Sequence, residues 1–169
     1  MMKFNNKKSM VGQKILSGVG YGSMGCSIPY AIGACYAAEN KKQIISFSGD
    51  GGFQMNMQEL MLIADKNLNI KIIIFNNNGL GLIRESQDRY MNSRYFGTNE
   101  KYVKCPQMDI LSKAYGLSYV KIKKIEDCKT IKDLFNDNKS CIIEVIVDSS
   151  QRMYKLFCYN IIRIKFIII

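Results

Sequence analysis

Three stretches of this chain, "IISFS" (Ile44 to Ser48), "KIIIF" (Lys71 to Phe75) and "CIIEVIV" (Cys141 to Val147), are nearly unbroken runs of Ile, Val and Phe. A strand of that kind has no polar face to give to water and must be buried on both sides. That is the condition of a parallel sheet clad by helices. The segments between the runs supply the helices. "SIPYAIGACYAAE" (Ser27 to Glu39) carries Pro29 in its first turn, where proline removes no helical hydrogen bond. Gln54 to Lys66 sets Met57, Leu60, Met61 and Ala64 at the spacing of one helix face. Further helices are expected over Leu82 to Met91, in "MDILSKAYG" up to Gly116, and in "EDCKTIKDLFND", with a strand at "LSYVKIKK". The stretch "SRYFGTNEKYVKCPQ" is expected to be irregular. The fold class that follows is α/β: three layers, α/β/α, around a mostly parallel sheet.

At 169 residues, with no internal repeat or low-complexity linker, the chain has room for one core. The expected organisation is a polar tail over 1–16, one domain over 17–150, and an atypical tail over 151–169. The 24 Lys and Arg outnumber the 14 Asp and Glu, for a net charge of +10. Those cations are spread from Lys3 to Lys165 with no basic helix, and Lys, Asn and Ile are all abundant, as AT-rich coding would produce. Nucleic acid is therefore not the expected partner, although a basic surface suits a diphosphate. The six cysteines include no CxxC pair and the chain has no histidine, which excludes the usual zinc sets and every His-based triad. Scattered thiols with no secretory leader read as reduced cysteines of a cytoplasmic protein. The apolar end "IIRIKFIII" is far shorter than the ~20 residues needed to span a bilayer, so no membrane partner is expected.

The chemistry concentrates where two of the runs end. "IISFS" runs into "GDGG" (Gly49 to Gly52) and "KIIIF" into "NNNGLG" (Asn76 to Gly81). In an open parallel sheet, ligands bind beyond the carboxyl ends of the strands, so Asp50 and Asn77 are expected at one edge. A carboxylate, an amide oxygen and a turn carbonyl such as that of Gly79 are a donor set suited to Mg²⁺, completed by phosphate and water. Gly49, Gly51 and Gly52 let backbone approach a ligand closely, and a helix expected to start near Gln54 aims its free N–H groups at the same place. Each turn alone is commonplace. Together, with Asn77 27 positions after Asp50, they are far more specific.

The order GDG at Gly49 to Gly51, 24 intervening residues, then Asn76 and Asn77 resembles the thiamine diphosphate enzymes. The wider strings "GYGSMGCSIPYAIGA", "GDGGFQMNMQEL" and "IKIIIFNNNGLG" are similar to the diphosphate-binding domain of acetolactate synthase and its relatives, from about Ser17 to Asp148. The resemblance implies that Asp50, Asn77 and the Gly79 carbonyl ligate the Mg²⁺ that anchors the diphosphate of thiamine diphosphate. It further implies that the Gly22 carbonyl accepts a hydrogen bond from the cofactor's aminopyrimidine and that Met24 wedges between its two rings. Without the motif, Met24 would be read as core packing. Ser23, Gly49, Gly51, Gly52, Leu80, Gly81 and Ile83 are implied at the same cofactor site. Six residues past the metal asparagine, simple pyruvate decarboxylases carry an acid. Ile83 stands there instead, as in carboligases that direct the intermediate to a second carbonyl. The implied substrate is a small 2-oxo acid.

The resemblance also implies what this stretch lacks. The glutamate that activates the aminopyrimidine belongs to a separate pyrimidine-binding domain, so no catalytic residue is assigned here. The expected partner is that domain or subunit, in an oligomer when functional. The family places a strand and helix ahead of the segment beginning at Ser17, and these are expected to be missing. "KLFCYNIIRIKFIII" departs from the family in the manner of out-of-frame translation. A fragment of a broken or split gene, poorly soluble alone, is thus expected, with a small subunit of a two-chain 2-oxo acid decarboxylase as the functional alternative. A different class remains: "GYGSMG" (Gly20 to Gly25) fits GxGxxG and Asp50 ends the next strand, as in an NAD-binding oxidoreductase, although that reading leaves "NNNGLG" unexplained. Arg84 and Gln87 are expected as solvated helix positions rather than as groups facing a cofactor.

Overall fold

The computed structural model describes residues 13–18 and 21–151. Most of the expected N-terminal tail and nearly all of the expected C-terminal tail lie outside them. Strands β1 (Ile44–Gly49), β2 (Ile70–Asn76), β3 (Ser118–Ile122) and β4 (Cys141–Ile146) form one sheet in the order β1-β2-β4-β3. Every neighbouring pair is parallel. The helices are α1 (Ser27–Ala37), α2 (Asp50–Gln54), α3 (Leu60–Asp65), α4 (Gly81–Tyr90), α5 (Met108–Ala114) and α6 (Lys132–Asn136), with 3-10 turns at Met57–Glu59 and Ile125–Ile131.

Both faces of the sheet are covered, as the apolar runs require. On one face Ile70, Ile72, Ile74 and Ile142 pack with Ile28, Ala31, Ile32 and Cys35 of α1 and with Phe53, Leu60, Ile63 and Met108. On the other, Ile73, Ile122, Cys141 and Ile143 meet Ile131, Leu134 and Phe135. Each fully buried side chain of this size contributes about 1.5–3 kcal/mol, and the alternation of faces explains why β2 needs isoleucine at consecutive positions. Lys71 interrupts that run yet is fully buried. Its Nζ donates to the carbonyl oxygens of Asp137, at 2.6 Å, and Lys139, at the amino end of the sheet. Burial pushes its ammonium below the ordinary lysine value.

Three expectations on helices change. α1 stops at Ala37, and Glu39 and Asn40 take left-handed backbone, so that Asn40 Oδ1 can accept from Cys35 Sγ and the Asn69 amide. The helix expected from Gln54 to Lys66 begins earlier, at Asp50, and is broken near Asn56. Asn56 leaves helical geometry with φ −137°, and its Nδ2 donates to the Gly25 carbonyl at 2.8 Å. The break rotates the buried face: Leu60 and Ile63 are fully buried whereas Met61 is 59% exposed. The segment expected as a helix from Glu126 is a 3-10 turn leading into the short α6.

Candidate functional site

β1 and β2 deliver their last residues to the carboxyl edge of the sheet, side by side in register, Gly49 opposite Phe75. Asp50 follows as the first residue of α2, so Gly51 and Gly52 lie within the opening turn rather than ahead of a helix starting at Gln54. Its carboxylate is 2% exposed. Oδ2 accepts a hydrogen bond from the Gly79 amide at 2.9 Å, which ties the end of β1 to the turn after β2. Burial pushes the Asp50 carboxyl above the usual range, opposed by the N–H groups of Gly79, Gly51 and its own amide and by the charge of Arg84.

The turn after β2 is built by its own side chains. Asn76 Oδ1 accepts from the Asn78 amide at 3.0 Å, an Asx turn that carries Asn78 into left-handed backbone with φ 52°. Asn77 Oδ1 is buried and has no hydrogen-bond partner. A buried acceptor left unmatched costs about 1–3 kcal/mol, and a cation is one group that would satisfy it. The Asn77 amide nitrogen lies so close to Gly81 that a Cβ there would be 2.5 Å away. Gly79 is pressed equally hard: a Cβ would stand 2.4 Å from the Thr98 carbonyl oxygen and 2.6 Å from Arg84 Nη2.

The upstream glycine stretch docks on the same corner. Gly22 has φ 64° and donates to the Gly18 carbonyl at 3.0 Å, and the exposed Ser23 accepts from Cys26 Sγ. Met24 is 45% exposed. A Cβ on Gly51 would meet Leu80 Cδ2 at 2.6 Å and Met24 Cε at 3.6 Å, so these three residues converge. Gly52 sits close to Ser48 Oγ and the Gly25 amide. The structure thus joins Asp50 to Gly79, Asn77 to Gly81, and Met24 to Gly51 and Leu80. Gly22, Ser23, Gly49 and Ile83 connect to this group through their chain neighbours, with Ile83 half exposed on α4.

Arg84 and Gln87 overturn their expected place in solvent, being 6% exposed each. Arg84 Nη2 donates to the Asn77 carbonyl and Nη1 to that of Ser149, both at 3.1 Å. Gln87 Nε2 donates to the Phe96 carbonyl and Gln87 Oε1 accepts from Thr98 Oγ1. The Thr98 carbonyl in turn accepts from the Leu80 amide at 2.9 Å. The inner face of α4 is therefore a polar clamp on the turn and its covering loop. Periodicity hid it, because a helix with buried polar groups reads as a solvated one.

Among the described residues there is no group of three or more His, Cys, Asp or Glu that could hold a metal. The donors at this corner are one carboxylate, one unmatched amide oxygen and backbone carbonyls, a set that fits Mg²⁺ and not zinc. No strand occurs in residues 13–18, ahead of the glycine stretch, where a dinucleotide fold would need one. Residues 1–145 match the family model described as thiamine pyrophosphate enzyme, C-terminal TPP binding domain. The chain belongs to this family. The match extends back to residue 1, well ahead of Ser17. The chain is 37% identical over 144 residues to the acetolactate synthase large subunit of Lactococcus lactis, covering 83% of this chain and 24% of that protein. It is 36% identical over 144 residues to the acetolactate synthase large subunit of Cyanidium caldarium, covering 85% and 24%. With the acetolactate synthase isozyme 2 large subunit of Escherichia coli K12 the identity is 29% over 145 residues, covering 85% and 26%. This member of the TPP-binding family thus spans about a quarter of the length of the curated relatives it matches. No helix among its described residues is long and apolar enough to cross a membrane.

Proposed function

We propose that this chain forms the diphosphate and Mg²⁺ half of the cofactor site of an acetolactate synthase-like carboligase or 2-oxo acid decarboxylase of the cytoplasm. The observation that carries the reading is the buried, unmatched Asn77 Oδ1 on a turn whose Gly79 amide is bonded to the buried Asp50 carboxylate. Asp50, Asn77 and the Gly79 carbonyl would hold the metal, and Gly51 and Gly52 would admit the diphosphate against bare backbone. Met24 and Leu80, with Ile83 beyond, offer apolar surface to the rings, which favours a bent, desolvated cofactor. When bound, thiamine diphosphate itself supplies the carbanion stabilisation for reactions of 2-oxo acids. An apolar residue at Ile83 provides no proton donor there, which favours ligation to a second carbonyl over aldehyde release.

In this reading residues 17–150 are the cofactor-binding unit, and the catalytic glutamate comes from a pyrimidine-binding domain or subunit within an oligomer. Half-exposed Met24, Leu82 and Ile83 are consistent with such a partner. The test is calorimetric titration of thiamine diphosphate, with and without Mg²⁺, into the chain and into Asp50→Ala. Saturable binding that needs Mg²⁺ and vanishes in Asp50→Ala is expected. Equal affinity in the two proteins would remove Asp50 from the site.

A further inference from the structure

Glu144 is an acid in the middle of the otherwise apolar strand β4, and it is 3% exposed. A carboxylate buried at that depth is tolerated only if its oxygens are matched. They are matched from the strands on both sides. Asn76 Nδ2 of β2 donates to Oε1 at 2.6 Å. The Tyr119 hydroxyl of β3 donates to Oε2 at 2.5 Å, and Lys121 Nζ stands 3.3 Å from the same oxygen. Parallel register explains the meeting: Lys121 lies directly opposite Glu144, whereas Asn76 and Tyr119 are its diagonal neighbours on one face.

The bond to Asn76 is the informative one, because it engages a side chain whose other end shapes the turn after β2. Its amide nitrogen is given to Glu144, its Oδ1 accepts from the Asn78 amide, and its carbonyl accepts from Val147 at 2.8 Å. One residue further along that turn, Gly79 donates to Asp50. Asn77 therefore stands between two residues that are held from opposite sides, Asn76 by β4 and Gly79 by α2. An apolar residue in β4 would satisfy the core as well as an ion pair does, since replacing buried pairs by apolar groups is often neutral in stability. The network makes better sense as a device for conformational precision.

We propose that Glu144 is a positioning residue for the metal-binding turn: through the Asn76 side-chain amide it holds residues 76–79 in the conformation that offers Asn77 Oδ1 and the Gly79 carbonyl to a divalent cation. This rests on the reading of the corner as a Mg²⁺–diphosphate site. Tyr119 and Lys121 set the carboxylate from the far side, so the chain of influence runs from β3 through β4 to the turn after β2.

The test uses the full chain with Mn²⁺ and inorganic diphosphate as probes. Binding is read from the loss of the free-ion Mn²⁺ spectrum, beside amide hydrogen exchange of the metal-free protein. Glu144→Met is expected to bind Mn²⁺ with diphosphate roughly 10- to 100-fold more weakly, as loss of outer-shell support does elsewhere. The Asn78 and Gly79 amides should exchange faster in it, while β1 amides keep their protection. Glu144→Gln, which can still accept from Asn76, is expected to restore most of the affinity, and Tyr119→Phe to cause a smaller loss. If Glu144→Met does not fold, the last two variants carry the comparison, and wild-type affinity and exchange in both overturns the proposal. Wild-type affinity in a folded Glu144→Met overturns the proposal alone. A wild-type chain that binds no Mn²⁺ overturns the site reading and the proposal with it.

Discussion

Gly81→Ala separates the candidate metal site from the fold it is built on. Gly81 opens α4 and has ordinary helical backbone, so the added methyl group is locally favourable, by up to about 1 kcal/mol. The same methyl would lie 2.5 Å from Asn77 Nδ2, against an ordinary contact of 3.4 Å or more. The amide must therefore retreat by about 0.9 Å, the difference of those two distances. It is the end of a flexible side chain and can move without dragging the sheet. Mg²⁺, however, requires its oxygens at about 2.0–2.1 Å in near-octahedral array, so a shift of that size removes Asn77 from the ligand set. The expected outcome is a melting temperature equal to or above wild type, with Mg²⁺-dependent thiamine diphosphate affinity at least tenfold lower, about 1.4 kcal/mol. Calorimetric titration and a thermal melt on the same preparation measure both. Wild-type affinity in a folded Gly81→Ala would refute the assignment of Asn77 as a ligand.

Other outcomes follow from the packing. Gly79→Ala would drive a Cβ into the Thr98 carbonyl, which is backbone and cannot step aside, so it should destabilise the chain by roughly 1–3 kcal/mol, seen as a melting temperature lower by several degrees. Burial raises the Cys105 thiol to about 12 and the Cys141 thiol to about 11. Both stay protonated in the fold at a pH where the unfolded chain ionises. Their stabilising contribution is complete below about pH 9, the unfolded value, and stability should fall as pH rises through the folded values. The slope is at most about 1.4 kcal/mol per pH unit for each thiol. Urea melts from pH 8 to 11 measure it, and a slope unchanged in the Cys105→Ala, Cys141→Ala double variant would contradict the assignment.

Much of this architecture is legible in the chain itself. The unbroken apolar runs at Ile44, Lys71 and Cys141 require a sheet covered on both faces, and the strands are parallel as that requirement predicts. The acid between glycines and the asparagine turn follow those runs directly, so any parallel sheet places both at one edge. That logic needs no tertiary information, because side chains at strand ends are positioned by the strand they leave.

What the tertiary structure alone decided lies in contacts between distant segments. The order β1-β2-β4-β3 puts the last strand beside the second, and only that adjacency brings Glu144 to Asn76, 68 positions away in sequence. The break at Asn56, made by its bond to Gly25, turns Met61 outward and Leu60 and Ile63 inward, against an intact helical stripe. Arg84 and Gln87 look like solvated helix residues until the loop at Phe96 and Thr98 folds over them and supplies carbonyl and hydroxyl partners. Local sequence determines which residues must be buried and where the chain turns, because hydrophobic period and turn chemistry act over a few residues. Which polar groups find one another in the interior depends on strand order and loop closure, which no local pattern encodes.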